Sequence, residues 1–397
     1  MNNLNITQSH ILKELYYESP QSIASLSNKA AKSIPLVTKE VQQLLLKGLI
    51  KDNGLAPSNG GRRANLFALN PEKLPFILLI AIDQHNTYLA IYDFANKNII
   101  EGKKITLHLN ENESFATSLM QEIDKYLTNI DIQQIMAISI TMPGFVNTEL
   151  GLNTSYPTTD ERCQIKNIIE QRYKKRTFIE NDSTAIAIAE HKFGRAKNTN
   201  DVLVINLNWG VGLGMIINGK LFRGSSGLAG EFSHIPLSNL NKLCSCGKRG
   251  CLEVEASLEA ALSYALEKLN NGETSILTNK KENLEINDLL DAASNGDQLA
   301  IESFGSIGYA LGKGIATLIH IINPKKIIIS GFAREIEKFL MPQIQRALLE
   351  YSIQRLSENT QIETSKLTNP QLIGTMATAV KNLEWKLTLT LQKTNSN

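Results

Sequence analysis

Three of the chain's four cysteines, Cys244, Cys246 and Cys251, lie within eight residues, and His234 precedes the first of them by ten positions. No other stretch limits the fold so tightly. Thiolate and imidazole are donors that Zn²⁺ prefers, and four of them complete a tetrahedron with no position left for water. The reading is a structural zinc site, one ion per chain, that folds a loop. Gly247 and Gly250 suit it, since returning three sulfurs to one ion over so short a span calls for backbone angles that a Cβ resists. The competing reading is a disulfide with a spare thiol. That needs an oxidising compartment, and the opening Met1-Asn2-Asn3-Leu4-Asn5 shows neither the charged nor the apolar block of a secretion signal. A cytoplasmic location is therefore the expectation. Cys163 stands apart and reads as a small buried apolar side chain.

At 397 residues with 42% hydrophobic content, the chain can hold two or three domains with sizeable cores. Its longest apolar run, Phe76 to Ile82, is too short to cross a bilayer, so no membrane partner is expected. The net charge of +2 is unevenly spread: residues 1–70 carry eight Lys/Arg against four Asp/Glu, and the remainder 33 against 35. Only the N-terminal piece suits a polyanion.

That piece reads as three helices and a hairpin. Ile11, Leu12 and Leu15 mark a first helix from Thr7, which Ser19-Pro20 ends because proline lacks the N–H a helix needs. Ser22 is positioned to cap a second, Ile23 to Leu26. A third begins at Ser33, with Pro35 in its first turn, where proline is tolerated. Val37, Val41, Leu44 and Leu45 form its buried stripe, with Thr38, Lys39, Gln42 and Gln43 opposite, and Gly48 ends it. Leu49-Ile50-Lys51, a polar loop containing Gly60-Gly61-Arg62-Arg63, and Asn65 to Leu69 then form a hairpin with a basic tip. Together these predict a winged helix-turn-helix over residues 1–70 that binds double-stranded DNA. Ser33, Thr38, Lys39 and Gln42 would face the groove, and Arg62 and Arg63 the backbone or minor groove. Ile34 and Leu36 put apolar groups near the reading end, so readout leans on thymine methyls or on few polar contacts. The plainer alternative is a solvated loop on a protein-interaction module.

Beyond Asn70-Pro71, β-rich runs alternate with helical stretches, the pattern of a layered α/β fold. Ile77–Asp83, Tyr88–Asp93 and Ile99–Leu107 read as a three-stranded opening, followed by strands at Ile135–Thr141 and Thr177–Glu180 and a helix over Ala185–His191. The order then repeats with Asp201–Asn206, Gly212–Ile217 and Lys220–Phe222, and with Lys325–Ser330 later. Two similar halves are implied, the layout of a two-lobed actin-like ATPase (ribonuclease H-like) fold.

The stretch Gly227-Leu228-Ala229-Gly230-Glu231-Phe232-Ser233-His234, then Cys244-Ser245-Cys246-Gly247-Lys248-Arg249-Gly250-Cys251-Leu252-Glu253, closely resembles the signature of the ROK family of repressors and sugar kinases. The likeness covers residues 75–385, and the N-terminal module matches the winged helix of the family's repressor branch. It implies a sugar held in the cleft between lobes by Asn181, Asp182, Glu231, His234 and Glu253, with His234 shared between sugar and zinc. In the family's kinases the residue matching Asp182 is the general base. Gly144, in Thr141-Met142-Pro143-Gly144, reads as serving backbone geometry. Relatives place a further sugar-contacting Asn in the region of Asn153-Thr154-Ser155-Tyr156, where the local pattern departs.

The family's kinases open with Asp-x-Gly-Gly-Thr, whose glycine amides cradle phosphate. This chain has Asp83-Gln84-His85-Asn86-Thr87, with both glycines gone. A second phosphate loop, Asn208-Trp209-Gly210-Val211-Gly212-Leu213-Gly214, carries an indole where kinases have a small hydroxyl residue. Gly312, Gly314, Asn323-Pro324 and Ser330-Gly331 resemble the adenosine-side scaffold, though they serve helix and strand packing equally well. Without phosphate cradling, Asp182 becomes a vestigial base. The expectation is a catalytically inactive, sugar-responsive regulator, a homodimer or tetramer whose sugar or sugar-phosphate effector changes the spacing of two recognition helices across about 34 Å of operator. The rivals are an ATP-dependent sugar kinase with a regulatory arm, and a body that only dimerises and docks a protein through its zinc loop.

Overall fold

The computed structural model describes residues 4–58, 63–109, 114–383 and 385. It divides into two compact units, one of Met1–Ile140, Tyr156–Ile179 and Thr375–Asn397, the other of Thr141–Ser155 and Glu180–Gly374.

The first unit opens with helix α1 (Ile6–Tyr17), strand β1 (Gln21–Ser22), helices α2 (Ile23–Ala30) and α3 (Ile34–Leu46), and strands β2 (Ile50–Leu55) and β3 (Asn65–Leu69). The three strands form an antiparallel sheet in the order β1-β3-β2. Ser22 caps α2 as expected, its side chain accepting from the Ser25 amide at 3.2 Å. The stripe of α3 departs from the sequence reading. Glu40 is buried with Val37, Val41 and Leu44, while Leu45 is only half-buried. The Glu40 carboxylate is satisfied by α1 and its cap: Gln8 Nε2 donates to it at 2.7 Å and Asn5 Nδ2 at 3.0 Å. Gln43, expected on the outer face, instead accepts from the same Gln8 amide at 2.7 Å. A carboxylate taken out of water must find donors, and the nearest ones lie on α1.

Strands β4 (Phe76–Ile82), β5 (Asn86–Tyr92), β6 (Lys103–Thr106), β7 (Ile135–Met142) and β10 (Arg176–Asn181) make a five-stranded sheet, with helices α4 (Phe115–Tyr126) and α5 (Ile165–Tyr173) in the intervening chain. A short antiparallel pair, β8 (Val146–Asn147) and β9 (Leu152–Asn153), precedes α5. The strand order is β10-β7-β4-β5-β6. From Ile77 to Ile82 every side chain of β4 is buried, which explains why the sequence shows a continuous apolar run there and no alternation. The strand read as Ile99–Leu107 narrows to β6, because Asn98 pairs back to Tyr92 through an isolated bridge.

The second unit contains helix α6 (Asp182–Phe193), strands β11 (Val202–Leu207), β12 (Val211–Ile217) and β13 (Lys220–Phe222), and helices α7 (Glu253–Ala256), α8 (Leu258–Asn270), α9 (Ile286–Ser294) and α10 (Gln298–Ile322). Strand β14 (Lys326–Gly331), helices α11 (Glu337–Tyr351) and α12 (Gln354–Ser357) and strand β15 (Gln361–Thr364) follow. Its sheet runs β13-β12-β11-β14-β15, so in both sheets the first strand sits centrally, with the second and third on one side and the fourth and fifth on the other. The repeat read from the sequence is thus present as two sheets of one topology. Helix α6 begins three residues before the sequence reading because the Asn181 side chain caps it, accepting from the Thr184 amide at 2.9 Å.

Helix α10 is long and apolar enough to cross a membrane by composition, yet 56% of its most apolar window is buried within this fold. A Cβ at Gly312 would lie 2.6 Å from Ala347 Cβ and 3.0 Å from the Ile344 carbonyl of α11, so the glycine lets two helices approach. Helix α13 (Pro370–Asn382) starts in the second unit and ends in the first. A Cβ at Gly374 would meet the Ala185 carbonyl of α6 at 2.1 Å. Farther along, the Ala377 carbonyl accepts from the Tyr17 hydroxyl at 3.0 Å and the Lys381 carbonyl from Lys13 Nζ at 2.8 Å. Tyr16 completes this seat, donating to Asn96 Oδ1 at 2.7 Å beside Phe94, which rests on Trp385. Burial pushes the Tyr16 phenol well above its usual pKa. Replacing Gly312 with alanine must push α10 from α11, and a loss of about 1–3 kcal/mol in unfolding free energy is expected, read from the denaturant midpoint of the body.

Candidate functional site

His234 lies at the end of the short 3₁₀ turn Phe232–His234, and the three cysteines follow in a loop that an isolated bridge, Leu243 to Arg249, folds back on itself. The four donor atoms of His234, Cys244, Cys246 and Cys251 all lie within 4.8 Å of one another. His234 Nδ1 is 3.6 Å from Cys244 Sγ, and Cys246 Sγ is 3.6 Å from Cys251 Sγ. A tetrahedral ion with sulfur at about 2.3 Å requires ligand atoms roughly 3.5–3.8 Å apart, which these two pairs match, and the widest pair lies within 4.8 Å. Gly247 and Gly250 have φ of +82° and +78°, as the sequence argument requires. No two cysteines are bonded. Burial first, and then the neighbouring Cys246 and Cys244 thiols, push Cys251 up to about 12. A divalent ion would reverse that bias by favouring thiolate. Cys163 is buried elsewhere, as expected.

The other side of the imidazole faces a carboxylate: His234 Nε2 is 3.7 Å from Glu231 Oε2. Glu231 sits at the surface, yet partial desolvation raises its pKa; His234 opposes the rise, and Asp182 and Glu253 add to it. Glu253, the first residue of α7, is held at both oxygens. Ser245 Oγ lies 3.4 Å and Cys244 Sγ 3.7 Å from Oε1, and the Val211 amide 3.4 Å from Oε2. Asp182 opens α6, where one oxygen accepts from the Ser183 amide at 2.8 Å and the other from Asn206 Nδ2 at 3.2 Å. Asn181 Nδ2 donates to the Gly144 carbonyl at 3.1 Å. The second unit thus brings together four of the five residues that the ROK resemblance assigned to the sugar, Asp182, Glu231, His234 and Glu253, while the Asn181 side chain is engaged by Gly144 and the Thr184 amide.

Two features here were missed from sequence. Glu180 is buried, 2% exposed, and its carboxylate is paired at both oxygens by Arg223. Arg223 has no motif around it, and only the fold brings it to a residue 43 positions away. Asn206 is buried as well, bridging Asp182 and Ser183 from β11. Gly144 has φ of +103°, and a Cβ there would lie 2.5 Å from Ser155 Oγ, so it serves backbone geometry. Asn153 is fully buried, its amide donating to the Pro143 carbonyl and its oxygen accepting from the Ser155 amide.

The first phosphate turn is occupied by its own aspartate. Asp83 Oδ1 accepts from the amides of His85 and Asn86 at 2.7 and 2.6 Å, closing the turn between β4 and β5. His85 is further engaged by His108, with Nδ1 to Nδ1 at 3.2 Å. In the second loop, Gly212 and Gly214 are packing glycines. Cβ atoms there would lie 1.9 Å from Ser183 Oγ and 2.3 Å from Ala187 Cβ, both on α6. The Trp209 indole is half-buried against the apolar core of its unit. Gly314 meets Leu252 and Phe232, and Gly331 meets the Leu207 carbonyl, so the glycines resembling an adenosine scaffold are accounted for by close packing.

On the N-terminal module, Ser33, Lys39 and Gln42 are exposed and Thr38 half-exposed. Ser33 precedes α3 without a side-chain capping bond, and the Thr38 hydroxyl donates to the Ile34 carbonyl at 2.8 Å. Arg63 is turned onto its own hairpin, donating to the Ala56 carbonyl at 2.7 Å, while Arg62 lies outside the described residues.

The ROK family profile matches residues 80–382. The chain is 30% identical over 345 residues, 86% of its length and 84% of the relative's, to the DNA-binding transcriptional dual regulator NagC of Escherichia coli K12. A crystal structure of a ROK family transcriptional regulator, a homologue of the E. coli Mlc protein, superposes with a TM-score of 0.77 at 26% identity, covering 95% of each chain. A ROK family glucokinase from Streptomyces griseus, solved with glucose and AMPPNP, shares the body's fold with a TM-score of 0.66 at 24% identity, over 76% of this chain and 97% of that one. Removing Arg223 by alanine substitution leaves the Glu180 carboxylate buried and unpaired, and a loss of about 3 kcal/mol is expected. Replacing both with apolar residues of similar volume recovers most of it, and thermal denaturation of the single and double variants measures the difference.

Proposed function

The chain belongs to the ROK family, and from that premise we propose that it is a sugar-responsive, DNA-binding transcriptional regulator that represses until a sugar or sugar phosphate binds. The observation that carries this reading against the kinase is the Asp83 turn. The two amides that a nucleotide phosphate would need are bonded to a carboxylate of the same charge sign as phosphate. Phosphoryl transfer depends on such oriented donors, whereas a neutral sugar does not.

In this reading the chain comprises a winged helix-turn-helix, residues 1–70, and a ROK body of the two-lobed actin-like kind, residues 75–385. Asn181, Asp182, Glu231, His234 and Glu253 hold the sugar's hydroxyls, and Asp182 is a vestigial base. His234, Cys244, Cys246 and Cys251 hold one structural Zn²⁺, supported by their fit to a tetrahedral ion. Ser33, Thr38, Lys39, Gln42, Arg62 and Arg63 meet operator DNA, with Arg63 leaving its hairpin carbonyl to do so. The protein acts in the cytoplasm as a homodimer or tetramer, because a palindromic operator requires two readers. Within the second unit Gly374 of α13 abuts α6, the helix that Asp182 begins; within the first, the Ala377 and Lys381 carbonyls accept from Tyr17 and Lys13 of α1. The sugar weakens DNA binding only if it prefers the state that fits the operator badly. The kinase reading rests on Asp182, the carboxylate at the start of α6 that matches the general base of the family's kinases.

Metal analysis of the purified protein should return one zinc per chain, and Cys251→Ser should lose both the zinc and the sugar response; a metal-free protein with full response overturns the assignment. In a binding titration on an operator selected from random duplexes, one member of a panel of sugars and sugar phosphates should weaken DNA binding, with no ATP-dependent phosphorylation of that sugar. Equal affinity across the panel, or phosphorylation at an enzyme's rate, refutes the regulator reading.

A further inference from the structure

Ile34, Pro35 and Leu36 open helix α3, and all three face solvent, Ile34 at 56% and Leu36 at 38% exposure. Successive residues in a helix are turned by about 100°, so three apolar side chains in a row wrap the helix end and cannot all join the stripe of Val37, Val41 and Leu44. The polar groups beside them are few. The Thr38 hydroxyl donates to the Ile34 carbonyl, Gln43 is engaged by Gln8, and Pro35 has no amide for a phosphate. Around this apolar tip the charge is positive: Lys32 and Lys39 are exposed, while the nearest acid on the helix, Glu40, is buried and bonded to Gln8 and Asn5. An apolar tip framed by lysines matches one surface well. In the major groove the phosphates flank the base edges, and the apolar group those edges present is the 5-methyl of thymine.

Building on the DNA-binding reading above, we propose that Ile34 and Leu36 are specificity-determining residues that read thymine 5-methyl groups in the operator's major groove. Selectivity then comes from methyl contact at the tip of α3, with Lys39 and Gln42 one and two turns along the helix.

The test uses the full-length protein and a duplex selected from a random library. Each thymine of that duplex is replaced in turn by deoxyuridine, which keeps the base pair and its hydrogen-bonding groups and removes only the methyl. Affinity is expected to fall about fourfold at one or two thymines in each half-site and to be unchanged elsewhere. Ile34→Ala and Leu36→Ala, both at exposed positions, should each bind thymine and uracil equally at one of those sites. The salt dependence of binding should stay as in the parent, since phosphate contacts are untouched. Uniform tolerance of uracil, or sensitivity retained in both alanine variants, overturns the inference while leaving DNA binding intact. A chain that selects no duplex overturns the DNA reading and this one together. Loss of self-association in the alanine variants with uracil sensitivity unchanged would assign the tip to a second copy of the chain and also overturn it.

Discussion

One imidazole joins the two chemistries of this molecule. His234 presents Nδ1 to Cys244 and Nε2 to Glu231, so the ring orientation that completes the cysteine cluster also sets where a carboxylate of the candidate sugar site stands. A histidine bound through one nitrogen cannot rotate, and the group on its other nitrogen inherits that rigidity. Glu253 is tied in the same way, through Cys244 and Ser245 on one oxygen and the Val211 amide on the other. Two carboxylates thereby stand against the loop that carries the three cysteines.

The remaining carboxylate, Asp182, and the amide of Asn181 are held at the start of α6. Asn181 caps the helix, Asp182 occupies its first turn, and β12 comes close enough to position them because Gly212 and Gly214 have no Cβ. The same helix touches α13 at Gly374, and α13 seats α1 through two backbone carbonyls. Hydrogen bonds to main-chain carbonyls are insensitive to side-chain identity on α13, so this seat is invisible in that helix's sequence.

What was legible depended on how far apart in the chain the partners lie. The cysteine cluster was readable because three ligands fall in eight residues and the fourth is near. Ser22 and Gly144 were readable because each answers a demand of the backbone beside it. Glu40 was missed because a glutamate on a helix is usually solvated, and only Gln8, 32 positions away, explains its burial. Gln43 was misassigned to the outer face for the same reason. Arg63 had the composition of a phosphate contact, but composition does not reveal that its guanidinium is bonded to the Ala56 carbonyl.

By itself the sequence determined the His/Cys loop, the three-helix and hairpin module, the doubled α/β pattern and the loss of both glycines from the Asp83 turn, since each is a matter of residue type at short spacing. Only the tertiary structure decided what those parts do to one another: that Asp83 consumes the amides next to it, that Arg223 neutralises Glu180, and that the Ala377 carbonyl of α13 holds Tyr17 of α1. The reason is physical. Local backbone geometry and ligand preference are short-range and survive in any context, whereas burying a charge is tolerable only when the fold delivers a distant partner to it.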